Sequence, residues 1–176
     1  MRAAAGSSSI DDDIITLSDK VSLSQGNRNI SADQATLDRS TDEMLSQGNV
    51  EVREPNLLIR ADSATINTET NLGHFDNALF LHHESGSRGT AQRIVRANDT
   101  SLDLEQGSFT QCTPDDETWI INASNIHLDN EEGWGSAKNA SLRIADVPVF
   151  YVPYITFPID DRRKSGFLFP TLASGN

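Results

Sequence analysis

Ile59-Arg60-Ala61-Asp62-Ser63-Ala64-Thr65-Ile66 is one copy of a phrase that recurs along the chain. It stands earlier at Ile30–Leu37 as Ile-Ser-Ala-Asp-Gln-Ala-Thr-Leu, and later at Ile121–Leu128 as Ile-Asn-Ala-Ser-Asn-Ile-His-Leu. A worn copy lies at Gly89–Val95. The anchoring alanines Ala32, Ala61, Ala91 and Ala123 follow one another at steps of 29, 30 and 32 residues. A near-constant period of that size marks stacked units, each contacting mainly its neighbours.

Inside the phrase the apolar positions alternate, then slip by one. Leu57, Ile59 and Ala61 are followed by Ala64 and Ile66. The same slip separates Ile30 and Ala32 from Ala35 and Leu37. It also separates Trp119, Ile121 and Ala123 from Ile126 and Leu128. Alternation with period two is the pattern of a half-buried strand, and one extra residue flips the facing, as a bulge or corner does. Each phrase therefore reads as a strand that bends sharply and keeps its apolar side inward. The alanines sit beside the corner, where a larger side chain would crowd the opposite wall.

A looser phrase follows each first one and places Gly48, Asn77, Gly107 and Asn139 at the same spacing, with Asp19 one step earlier. These residue types tolerate positive φ and suit a turn or bulge. No stretch has helical periodicity, and Thr41–Ser46 and Asn98–Gln106 read as turns. The residues thus predict an all-β chain, a stacked-repeat sheet.

The 176 residues suit one domain. Hydrophobic content of 36% and aromatic content of 6% fit a thin interior better than a thick α/β core. With 26 acidic against 14 basic residues the formal charge is −12, which argues against nucleic acid as a partner. Residues 1–13 read as a leader or disordered tail, 14–145 as the repeats, and 146–176 as a separate apolar, proline-rich segment. No apolar run is long enough for a membrane helix.

Catalytic motifs are lacking. His74, His82, His83 and His127 do not converge, and His82 and His83 should face opposite sides of a strand. No nucleophile elbow, phosphate loop or paired-cysteine knuckle occurs, so neither a cofactor nor a metal is expected. The triplets at Asn29, Asn98, Asn122 and Asn139 fit the glycosylation pattern, which is a weak signal. The inward row Leu57, Ile59, Ala61, Ala64, Ile66, Trp119, Ile121, Ala123, Ile126 and Leu128 is either an ordinary core or a lengthwise apolar slot for lipid chains, and periodicity leaves both open. A stacked sheet also ends in edge strands that invite pairing with another chain.

Val147–Pro158, followed by Asp161-Arg162-Arg163-Lys164-Ser165-Gly166-Phe167-Leu168-Phe169-Pro170, closely resembles the LptD family of outer-membrane lipopolysaccharide assembly proteins, where their periplasmic domain joins the barrel. Gly107–Cys112 and the loop Pro114–Thr118 agree with it, and the earlier repeats resemble the OstA/LptA-like domain. The resemblance implies an open β-jellyroll that shields acyl chains, and so favours the slot. It also implies placement at the periplasmic face of the outer membrane. Lipopolysaccharide would arrive from an LptA-like bridge protein paired edge to edge, and an LptE-like lipoprotein would sit in the barrel. Pro153, Pro158 and Pro170 then belong to the junction and gate. Cys112 matches a family cysteine disulfide-bonded to the distant barrel, while the family's other N-terminal cysteine has no counterpart here. Arg162, Arg163 and Lys164 either meet lipid phosphates or form a charged turn balanced by Asp160 and Asp161.

Two rivals carry different expectations. A structural or polymerising β-solenoid would have a closed core and no response to lipid. A carbohydrate-active β-helix enzyme would need clustered carboxylates on one face, and none stands out.

Overall fold

The computed structural model describes residues 2–113, 118–145 and 147–160. Pro170, the Arg162-Arg163-Lys164 cluster and most of the loop before Trp119 lie outside the described residues.

The described residues form a single antiparallel sheet of twelve strands. Two short strands, β1 (Arg2–Ala4) and β2 (Ser7–Asp11), both pair with β3 (Ile14–Gln25). From there the sheet meanders through β4 (Arg28–Asp38), β5 (Glu43–Arg53), β6 (Leu57–Asn67), β7 (Gly73–His82), β8 (Arg88–Arg96), β9 (Ser101–Phe109), β10 (Trp119–Asp129), β11 (Trp134–Ile144) and β12 (Val147–Pro158). The recurring phrases are β4, β6, β8 and β10, and the looser phrases are β3, β5, β7, β9 and β11.

The slip in the sequence is a corner in the strand. Ile59 and Ala61 point inward on one arm of β6, and Ala64 and Ile66 point inward on the other. Registers shift at the same level between Ser18/Val21, Ser31/Gln34 and Gln47/Val50. Left-handed backbone marks the corners of the looser strands at Asp19, Gly48, Asn49, Asn77 and Asn139. In β9 the left-handed residue is Gln106 and not Gly107. Asparagine amides brace adjacent corners, Asn49 Nδ2 donating to Asp33 at 2.8 Å and Asn77 Nδ2 to Asp62 at 2.9 Å.

Because every strand bends, the sheet folds over on itself. One rim carries the hairpin ends at 25–28, 53–57 and 82–88, together with the residues after Phe109. The opposite rim carries the ends at 38–43, 67–73, 96–101 and 129–134, and the end of β12. Between the arms lies one continuous apolar core from Val21 to Ile159. The Phe109 ring meets the Phe157 ring at 4.8 Å between centroids, although β9 and β12 are three strands apart.

The structure adds detail to three of these expectations. Residues 2–4 and 7–11, expected in a leader or tail, are strands, because their backbone groups pair with the open edge of β3. The sheet does not break near Ala145, since β12 pairs with β11 along nearly its whole length. The expected turns at 41–46 and 98–106 shrink to their first residues, as β5 starts at Glu43 and β9 at Ser101. There the pairing of neighbouring strands outweighs weak local propensity.

Candidate functional site

The inward row is largely closed over. Ile59, Ala64, Ile66, Ile126 and Leu128 are 3% exposed or less, and Ala61, Ile121 and Ala123 are also buried. Leu57 and Trp119, at the rim, are half-buried. An open slot along the whole row is therefore not what the structure shows; the two arms pack together. Apolar surface costs roughly 25 cal/mol per Å² in water, so an unfilled groove with hinged walls collapses on itself.

The apolar interior opens where one wall outruns the other. Contacts between the rims are offset by three strands. Arg28, at the start of β4, reaches Asn71 between β6 and β7. Glu54, after β5, reaches Arg96 at the end of β8 at 2.7 Å. Gln111, after β9, donates to the Ile159 carbonyl beyond β12 at 3.0 Å. The twist of a β-sheet produces such an offset. By that count the first arms of β10 and β12, and the second arm of β11 between them, find no described strand opposite them.

A cavity of about 400 Å³ opens there, lined by Gln111, Thr118, Trp119, Ile121, Ala140, Leu142, Ile144, Phe150, Val152, Ile155, Phe157 and Pro158. Only Trp119, Ile121 and Pro158 among them were named from sequence as site or junction residues. β11 and β12 supply most of the rest, and their cue was the unbroken apolar run at 147–157, where alternation no longer reports facing. On the edge strand β12, Val147, Val149, Phe150, Tyr151 and Tyr154 are all exposed. Pro153 lies across from Asn139, between the pairs Ala140–Val152 and Lys138–Tyr154, and Pro158 pairs with Trp134. An edge strand is where a missing N–H is tolerated.

The rims are polar. Arg28 places both Nε and Nη2 at 2.6 Å from Glu54 Oε1, and Arg96 Nη1 reaches the same oxygen at 2.7 Å. The side chains of Arg96, Arg28 and Glu54 are 7%, 13% and 16% exposed. Burial pushes the Glu54 carboxyl up, but the hydrogen bonds and charges of Arg96 and Arg28 outweigh it and hold its pKa below the ordinary value. Clefts of about 640 and 950 Å³ flank this network on its two sides, and Glu54, Pro55, Arg96 and Asp99 line both. No local motif announces these three charges, which stand at the ends of separate strands.

Cys112 is half-buried on the rim beside the mouth, with its Sγ 3.8 Å from the Trp119 carbonyl oxygen. The Arg88 Nε donates to the Cys112 carbonyl at 3.0 Å. The histidines stay apart: His127 contacts Asp103 on the outer face, and His82 contacts Ser85 at the rim. Among the described residues no group of three His, Cys, Asp or Glu side chains could hold a metal ion.

Comparison with known proteins adds the following. A family profile described as LptA/(LptD N-terminal domain) LPS transport protein matches residues 29–134. A protein named LPS-assembly protein LptD from Saccharophagus degradans is 42% identical over 172 residues, covering 94% of this chain. One of the same name from Hahella chejuensis is 46% identical over 160 residues, covering 91% of it. The chain spans 20% of the length of each. Among solved structures, LptH from Pseudomonas aeruginosa, titled an LptA-homologous periplasmic component of a lipopolysaccharide transport device, aligns at 18% identity. Its TM-score is 0.48, over 53% of this chain and 73% of that one.

Proposed function

Because this chain belongs to the LptA/(LptD N-terminal domain) family of LPS transport proteins, we propose that it shields lipopolysaccharide acyl chains between its two arms and passes them out through the apolar mouth to an outer-membrane barrel. The observation that carries this reading is the mouth itself. It continues the buried core to the edge of the sheet, and an apolar edge of that kind calls for an apolar occupant. A closed scaffold accounts equally well for the buried middle of the row, but not for an apolar end that the described residues leave uncovered. The named relatives are LPS-assembly proteins, which favours transport over catalysis.

In this reading Trp119, Ile121, Leu142, Phe150 and Val152 meet acyl chains first. Leu57, Ile59, Ala61, Ala64, Ile66, Ala123, Ile126 and Leu128 line the path once the arms part. The edge at β1–β3 receives an LptA-like bridge protein by strand addition, for which unpaired backbone groups suffice. β12 leads into the barrel, where an LptE-like lipoprotein sits, with Pro153, Pro158 and Pro170 at the junction. Cys112 pairs with a barrel cysteine, and the domain works on the periplasmic face of the outer membrane.

Fluorescence tests the placement of the mouth. The chain has two tryptophans. In a Trp134→Phe background, lipopolysaccharide carrying brominated acyl chains should quench Trp119. Unchanged emission at saturating lipid would contradict the reading.

A further inference from the structure

The Arg28–Glu54–Arg96 network joins parts of the molecule that the sheet holds apart. Glu54 and Arg28 stand on one rim, and Arg96 stands on the other. Each arginine spends a charge-assisted bond on one carboxylate oxygen, in a nearly dry site. Arg28 also donates across the opening to Asn71, and Arg96 Nη2 to the Asp99 carbonyl at 3.4 Å. Clefts lie on both flanks, so the network is a bar across an opening and not the surface of a filled wall. The interior on this stretch of the sheet is tightly closed, with Ile59, Phe80, Ile94 and Leu104 at 1% exposure or less.

A second polar tie between the rims, among the described residues, is weaker in kind. Gln111 to the Ile159 carbonyl is a neutral bond, next to the mouth. Bonds to charged groups are roughly twice as strong as neutral ones. The Gln111 tie therefore yields more easily than the bar.

We propose that Arg28, Glu54 and Arg96 form a latch that holds the empty groove shut, and that acyl chains advance from the mouth to the region of Ile59 only when this latch opens. The proposal rests on the lipid-carrying reading above. It adds that the groove is gated within this domain, at a fixed point along its length, and that the neutral tie at Gln111 opens before the charged one.

The test clamps the rims while leaving the latch intact. In a Cys112→Ser background, Pro55→Cys and Asp99→Cys put thiols on opposite rims beside the bar, and a short reductant-cleavable bis-maleimide joins them. A diazirine analogue of leucine size, placed singly at Ile121 or Ile59, reports adducts with purified lipopolysaccharide. The clamp should leave the Ile121 adduct in place and cut the Ile59 adduct by roughly tenfold, with recovery when the linker is cleaved. Separately, Glu54→Gln without the clamp should raise the Ile59 adduct by a similar factor, since it removes the charge while keeping a polar side chain. An Ile59 adduct that persists under the clamp, or does not respond to Glu54→Gln, overturns the latch and leaves the lipid reading standing. No adduct at either position in the unclamped protein overturns both.

Discussion

Glu54 and Arg96 meet at 2.7 Å although they close hairpins on opposite rims and β5 and β8 are three strands apart. In a flat sheet, three strand spacings and a full strand length would hold them roughly 30 Å or more apart. The contact exists because every strand between them turns the same corner. It ties the bulge chemistry of Gly48, Asn49 and Asn77 directly to the closure of the groove.

Glu54→Ala leaves two arginines without their carboxylate, one of them 7% exposed. The expected loss is about 3 kcal/mol of unfolding free energy, because an uncompensated buried charge costs more than the pair contributed. Urea denaturation measures it. A loss under about 0.5 kcal/mol would mean that the pair is solvated, as surface pairs are.

The same carboxylate sets an acid limit. Its folded-state pKa lies below the ordinary 4.5, since the two arginines outweigh burial. A depressed acid contributes stability that is fully present above its unfolded pKa and disappears as pH falls through the folded one. Unfolding free energy of the native chain should therefore fall below about pH 4.5 more steeply than that of Glu54→Gln, with the two curves parallel above pH 6. Curves parallel throughout the acid range would show that Glu54 is not coupled to folding.

Ser46 is fully buried, and its hydroxyl has no partner among the described residues. It pairs on either side with Ala35 and Ala64. Ser46→Ala should raise stability by about 1 kcal/mol, as it removes a desolvated polar group without opening a cavity. Thermal unfolding reads the sign directly, and a clear loss would reveal a hydrogen bond that the hydroxyl makes within the groove.

Gly89 lies on β8 where a Cβ would sit 1.9 Å from the Ser108 carbonyl oxygen. The clash is with backbone, which cannot rotate away as a side chain can. Gly89→Ala should cost about 2–3 kcal/mol and loosen the β8–β9 pairing next to Phe109. Hydrogen exchange at β8 and β9 would locate the damage. Unchanged protection there would contradict the close approach.

Most of the sheet could be read from the repeated phrase. Ile59-Arg60-Ala61-Asp62-Ser63-Ala64-Thr65-Ile66 states both the strand and its corner, because facing is written into alternation and a slip of one residue is visible. Three things could not be read that way. Arg2–Ala4 and Ser7–Asp11 become strands through the partner that β3 offers, not through their own composition. The degree to which the arms close depends on sheet twist and on contacts such as Gln111 with Ile159, which join residues 48 apart in sequence. In β12 almost every residue is apolar or proline, so no pattern separates the side facing the mouth from the side facing solvent. The family resemblance, carried chiefly by residues 148–170, supplied a cargo that the phrase alone never named.

Site-specific crosslinking to lipopolysaccharide across one strand tests the central claim most directly. Diazirine residues placed singly at Ile121, whose side chain lines the mouth, and at Asn122, whose side chain faces the other way, differ only in the side of β10 they report. The account predicts lipopolysaccharide adducts at Ile121 and none at Asn122. Adducts at Asn122 alone, or at both positions equally, would contradict a groove that carries acyl chains between its arms.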